Sequence, residues 1–257
     1  MKALIFENKV VDVKTTEFEV APTMTWVDCE DTVTHQNNIF AFNRIIWLIH
    51  IVVQESIIQN LFPIPVYINN INREFTKKEL KFANEQKNSC VSNKGNTSSN
   101  NKYVLNKPEL KEIKNFLNQC CNDYLQKIIS PKNKLNLYIT QSWLNYTLEN
   151  EFHHSHNHAN SVVSGVLYFD CNNKNDIIRF LNPMSYQQIK PEVQNYNLWN
   201  SDTWWFPVEI GQLIMFPSST VHEVDNKKSS NNRISLAFNT FYKGTIGSNI
   251  GATELIL

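Results

Sequence analysis

The sequence predicts a mainly β chain with flanking helices, an α+β fold whose C-terminal half is a sandwich or barrel. Two observations carry this. An amphipathic helical stretch closes the first half at about residues 107–129, where Leu110, Ile113, Leu117, Cys120, Tyr124 and Ile128 recur at steps of three and four. From about residue 135 the pattern changes to short apolar runs separated by polar turns, over about 120 residues.

Taken in order, residues 1–43 read as short strands: Lys9–Val13 and Phe18–Val20 alternate, and Pro22 punctuates them. Residues 44–58 suit a short helix. The apolar run Ile45–Val53 contains His50 and is far shorter than the roughly 20 residues a membrane span needs. Leu61–Tyr67 is extended, because Pro63 and Pro65 push the residue before each toward β or polyproline geometry. A helix follows over 74–88, then a polar loop over 88–102 with no packing signal. Pro108 suits the first turn of the 107–129 helix. The main later strands are Leu137–Ile139, Val162–Phe169, Ile177–Phe180, Gln212–Phe216 and Arg233–Phe238.

Composition excludes several function classes. The 257 residues carry 24 Lys+Arg and 24 Asp+Glu, so no basic excess points to nucleic-acid phosphates. Glycine numbers six, and Gly95 alone precedes residue 165, which leaves no N-terminal Rossmann fingerprint or P-loop. Asparagine numbers 36, an excess that fits an AT-rich genome rather than a chemistry. The five cysteines are odd in number and lack a C-x-x-C pair, which suits a reducing compartment. Met1–Glu7 has no long apolar run of a signal peptide. Gly165 sits in a strand, where a missing Cβ lets another group approach closely. Lys227 and Lys228 read as a solvated turn, and Trp199, Trp204 and Trp205 as a polar insertion that packs under a loop or lids a pocket.

The chemistry concentrates in histidines. Four lie in Phe152-His153-His154-Ser155-His156-Asn157-His158. In an extended segment His154, His156 and His158 share a face, so a pair at i and i+2 can meet one metal. His222 offers a third imidazole from a distant strand. The pair can also be slid by two residues, to His154 and His156. A surface turn that binds metal incidentally is the plainer reading. Arg233, in an apolar strand, needs a counter-charge, either a protein carboxylate or a bound acid.

These segments together resemble the Fe(II)/2-oxoglutarate-dependent oxygenases, and more narrowly an oxygenase group found widely in marine bacteria and their phages. The resemblance runs from about residue 61 to the C-terminus. It rests on Leu61–Tyr67, Gln141–Asn145, His156–Tyr168, Phe216-Pro217-Ser218 with His222, and Arg233–Asn239. It implies a double-stranded β-helix, a jelly-roll or cupin-like barrel at 135–257 behind a helical scaffold at 44–134. It implies Fe(II) held by His156 and His222, 2-oxoglutarate anchored by Arg233 and Ser235, and dioxygen as co-substrate. Asn145 and Tyr168, with Tyr138 and Trp143, would line the pocket. The wider superfamily has an acid two residues after the first histidine. Here His158 stands there and is the favoured third ligand, with Asp170, Asp225 or no third protein ligand as alternatives.

The reaction so implied is hydroxylation of an unidentified small molecule or protein side chain, coupled to decarboxylation of 2-oxoglutarate. Two other classes compete: a virion or tail-associated structural barrel without turnover, and a three-His cupin-type dioxygenase that uses no 2-oxoglutarate. Residues 1–43 resemble a leader on some marine phage proteins, best at Met24–Cys29. The expected location is the cytoplasm, the host's if the source is viral, or the virion; virion or homo-oligomer association stays open, and the short apolar run and zero net charge point to no membrane or nucleic-acid partner.

Overall fold

The structure, a computed structural model, describes the backbone of Lys2–Phe6, Lys9–Lys14 and Thr25–Asp28, together with residues 57–183 and 189–257. The chain divides into two units, Met1–Phe62 and Pro63–Leu257. In the first, β1 (Lys2–Phe6) lies between β2 (Lys9–Lys14) and β3 (Thr25–Asp28), antiparallel to both. The strand expected at Phe18–Val20, the helix at 44–58 except its last two residues, and the run Ile45–Val53 lie outside the described residues.

The second unit opens with β4 (Tyr67–Asn70) and helix α1 (Lys77–Glu85). Thr76 and Glu79 cap α1 reciprocally: Glu79 N–H donates to Thr76 Oγ1 at 3.3 Å and Thr76 N–H to Glu79 Oε2 at 2.7 Å. Arg73 closes on both oxygens of Glu79, at 2.9 and 2.6 Å. Helix α2 (Lys111–Tyr124) follows a single 3-10 turn that starts at Pro108. Its expected core residues are buried from Leu110 to Tyr124, but Ile128, in the wider turn after it, is exposed.

Residues 88–102 are not a loop. Cys90–Asn93 (β5) and Asn96–Ser99 (β6) form a hairpin, with Gly95 at φ +95° in its turn. Polar side chains bury themselves here by bonding β7 (Leu135–Thr147): Ser99 Oγ accepts from Leu144 N–H at 3.0 Å, and Asn96 Nδ2 reaches Thr147 Oγ1 at 3.3 Å.

The remaining strands are β8 (His153–His156), β9 (Val163–Asp170), β10 (Ile177–Leu181), β11 (Thr203–Pro207), β12 (Gln212–Pro217), β13 (His222–Val224), β14 (Arg233–Ile246) and β15 (Leu255–Ile256). They form two antiparallel sheets. The larger runs β4-β12-β9-β14-β7-β6-β5, with β15 added on β14, and the smaller runs β11-β10-β13-β8. The architecture is the expected jelly-roll type, but as two sheets rather than a closed barrel.

One face of the large sheet packs on the helices: Leu144, Tyr146, Leu167, Leu213, Met215, Leu236 and Phe238 join Ile113, Leu117 and Tyr124. Tyr146 OH donates to the carbonyl of Ala83 at 2.6 Å and ties β7 to α1. The ring of Phe238 occupies the space a Cβ on Gly165 would need. The other face meets the small sheet through Tyr168, Ile178, Phe180, Ile214 and Phe216. The candidate site residues Asn145, Tyr168, Arg233 and Ser235 lie on that inner face.

Two surface expectations are corrected. Lys227 is buried at 3% exposure, because its ammonium donates to Ser229 O at 2.7 Å and Asn231 Oδ1 at 2.9 Å. The Trp204–Trp205 pair is not in an insertion but in edge strand β11, where Trp204 lies opposite Phe180 and Trp205 opposite Arg179.

Candidate metal centre

β7 changes which residues face inward along its length. Opposite β14, Asn239 pairs with Gln141 but Thr240 with Ile139, so Thr140 is an extra residue and a bulge. Beyond it Trp143, Asn145 and Thr147 point away from the helices, while Leu144 and Tyr146 point toward them. Opposite Asn145 stands Ser235, and on its far side Ser235 pairs with Tyr168 of β9. Arg233 is two residues before Ser235 and shares its face.

A second bulge shapes β8. His222 pairs with His156 and Val224 with His153, so two steps on β13 face three on β8. Paired residues share a face, so His153 as well as His156 turns inward with buried His222 and Val224. Simple alternation put His154 there instead, and His153 was missed. The ring of His154 is tethered through Nδ1 to the carbonyl of Lys94, at 3.2 Å.

His156, His158 and His222 come together, with one ring nitrogen of each within 4.8 Å of the others. Their ring centroids are 4.4 to 5.2 Å apart. His156 Nδ1 lies 2.7 Å from the carbonyl of His154, and His222 Nδ1 lies 3.1 Å from that of Thr220. A ring that donates from Nδ1 leaves its Nε2 lone pair free for a metal. The His158 ring has no hydrogen-bond partner among the described residues; it packs on Trp143, ring centroids 5.8 Å apart. Its backbone N–H donates to Ser218 O at 2.9 Å. Phe216 and Phe180 wall the His222 ring, at 4.6 and 6.2 Å.

Burial, reinforced by the neighbouring rings, pushes His222 down to about 2 and His158 to about 4. His156 is lowered too, by burial first. The rings are therefore neutral near pH 7, the form a metal requires. The acid alternatives are elsewhere engaged or apart. Asp225 pairs with Arg179, at 2.6 Å, and neither it nor Asp170 belongs to a potential ligand cluster among the described residues.

Arg233 is 4% exposed, yet it has no carboxylate partner among the described residues. Nη1 donates to Ile177 O at 3.3 Å and Nε has no partner. Its guanidinium carbon lies 5.8 Å from the Tyr168 ring centroid. Asn145 and Ser235 are each 5% exposed and Tyr168 1%, and Asn145 Oδ1 is also unpartnered. Burial raises the Tyr168 pKa, so its hydroxyl stays protonated. Tyr138 is 44% exposed and does not share this enclosed setting. A buried cation with idle N–H groups suits an incoming anion. Three neutral imidazoles suit a divalent metal.

Residues 141–239 match the family model described as "Putative 2OG-Fe(II) oxygenase". No curated protein matches the chain in sequence. Among solved structures, the non-heme alpha ketoglutarate dependent carbocyclase SnoK from nogalamycin biosynthesis aligns with a TM-score of 0.50 at 12% identity, over 69% of this chain and 79% of its own. A 2OG-Fe(II) oxygenase family oxidoreductase from Burkholderia pseudomallei gives 0.47 at 14% identity, over 68% and 83%. HygX from Streptomyces hygroscopicus, with nickel, 2-oxoglutarate and hygromycin B bound, gives 0.48 at 9%, over 69% and 82%. At such identities the likeness is one of fold. The sequence match begins at residue 141 and does not reach residues 1–43. Residues 141–239, which hold the three clustered histidines and Arg233, are thus the part of the chain that is similar in sequence to the 2OG-Fe(II) oxygenases.

Proposed function

We propose that the protein is an Fe(II)- and 2-oxoglutarate-dependent dioxygenase that hydroxylates a small molecule or a protein side chain. The observation that carries this is Arg233: a buried guanidinium without a carboxylate partner among the described residues, on the same inner face that receives the three histidines. Arg233 grips the distal carboxylate of 2-oxoglutarate, a bond strengthened by the low dielectric around it. Ser235 and Tyr168 offer hydroxyls beside it, and Asn145 an amide. His156, His158 and His222 hold the metal through neutral nitrogens, and the carbonyls of His154 and Thr220 fix two of the rings. Bound iron would activate dioxygen, the four-electron oxidant, with 2-oxoglutarate giving two electrons as it decarboxylates to succinate and carbon dioxide and the substrate C–H bond giving the other two. Phe180, Phe216 and Trp143 keep water from the centre.

The test is anaerobic addition of Fe(II) and 2-oxoglutarate. The expected result is a weak visible charge-transfer band and, with oxygen, slow succinate formation, both lost in Arg233→Ala. Oxygen uptake that ignores 2-oxoglutarate would instead identify a three-His dioxygenase of the cupin type. No 2-oxoglutarate binding and no oxygen uptake would leave a structural barrel.

A further inference from the structure

His153, His154 and His156 form a second cluster, again with one ring nitrogen of each within 4.8 Å of the others. Nothing in the proposed oxygenase chemistry uses the imidazole ring of His153 or of His154. The hairpin β5–β6 holds both. Asn93 Nδ2 lies 3.2 Å from His153 Nε2, and an amide N–H can only donate, so that nitrogen offers its lone pair. His154 is tethered through Nδ1 to Lys94 O, which leaves its Nε2 free. Phe152 N–H donates to Gly95 O at 3.0 Å and fixes the hairpin tip against the start of β8. His156 likewise presents Nε2. Each of the three rings thus has an Nε2 lone pair to offer a cation, that of His153 now accepting from Asn93.

We propose that His153, His154 and His156 form a second divalent-cation site that takes Zn(II) and competes with the first for His156. Zinc–nitrogen bonds of about 2.0–2.1 Å in a tetrahedral set put nitrogens about 3.4 Å apart, so each must shift by under about 1 Å. His153 and His156 now stack, centroids 4.5 Å apart and planes at 17°, so their in-plane lone pairs lie in nearly parallel planes. A rotation of the His153 ring converges them and replaces the Asn93 N–H with the metal. One lone pair of His156 serves one ion, so the two sites are alternatives. Zn(II) outranks Fe(II) for imidazole ligands. Zinc in the second site therefore removes a ligand from the first and silences it.

The experiment uses zinc and cadmium alone on the full chain. The variant His158→Ala/His222→Asn should still bind one Zn(II) per chain in competition with a chromogenic chelator. The further change His153→Gln/His154→Gln should lower its affinity at least tenfold. Equal zinc affinity in the two variants overturns the proposal. Should the first variant misfold, the wild type decides. Its 113Cd spectrum should show two resonances summing to one ion per chain, one of them absent in His153→Gln/His154→Gln. A single resonance, unchanged in that variant, overturns the proposal. The inference shares His156 with the proposed iron centre but fails separately: wild type can form succinate with Fe(II) and still show one cadmium resonance, or show two and form none.

Discussion

The ring of His158 packs against Trp143 with centroids 5.8 Å apart and planes tilted by 39°. The other two clustered imidazoles are aimed by carbonyls, whereas this one is held by an indole. Removing that support frees the ring to rotate. Trp143→Ala should weaken metal binding about tenfold, and Trp143→Phe should recover part of it. Competition with a chelator measures both. Unchanged affinity in Trp143→Ala would show that the chain alone orients His158.

Acid should unfold the metal-free protein early. Folding lowers the pKa values of His153, His158 and His222 to about 3, 4 and 2, from an ordinary value of 6.5, by burial first. Between these limits the unfolded chain binds more protons than the folded one, so stability rises with pH. The contribution is present above about pH 7 and is lost progressively as pH falls below 6.5 toward the folded values. Urea midpoints at pH 7.5 and pH 5 should show the drop, and His153→Phe should shrink it. A slope that His153→Phe leaves untouched would refute this.

Gly165→Ala should cost about 1–3 kcal/mol of stability, the usual penalty for overpacking. The new methyl would overlap the ring of Phe238, which is fully buried and has no space to retreat. Chemical denaturation checks this, and the double variant Gly165→Ala/Phe238→Leu should regain part of the loss.

Arg233→Met separates function from folding. A buried cation with an idle Nε contributes little stability, and an apolar side chain of like length is often neutral or better. The metal-free variant should unfold at the same or higher urea concentration than wild type, yet fail to bind 2-oxoglutarate by calorimetry. Marked destabilisation would show that Arg233 is chiefly structural.

The helices and the inner strands were legible because apolar periodicity reports burial: Leu110 to Tyr124 and Val163 to Phe169 are buried as the pattern implies. The hairpin β5–β6 was not, because its buried side chains are Asn96, Ser98 and Ser99, which pay for burial with hydrogen bonds rather than apolarity. Lys227 escaped notice for the same reason. That His156, His158 and His222 come together was legible from spacing and resemblance, as was the setting of Arg233 in an apolar strand. His153 was not, because a bulge breaks the alternation on which the reading relied. The sequence signal available was the adjacency of His153 and His154 itself, since consecutive histidines are where a bulge could bring both to one site.

The bond from His158 N–H to Ser218 O joins two crossovers. One carries the chain from β8 in the small sheet to β9 in the large, the other from β12 in the large to β13 in the small. Ser218 is also tied by hydroxyl contacts of 2.7 Å to Ser161 and Ser164. The seam where the sheets meet is therefore riveted beside His156, His158 and His222. Like the pin of a door hinge, points on such a seam move least when the leaves swing. Breathing of the two sheets would vary the width of the gap far from the seam, near edge strand β11, and leave the spacing of the three histidines nearly constant.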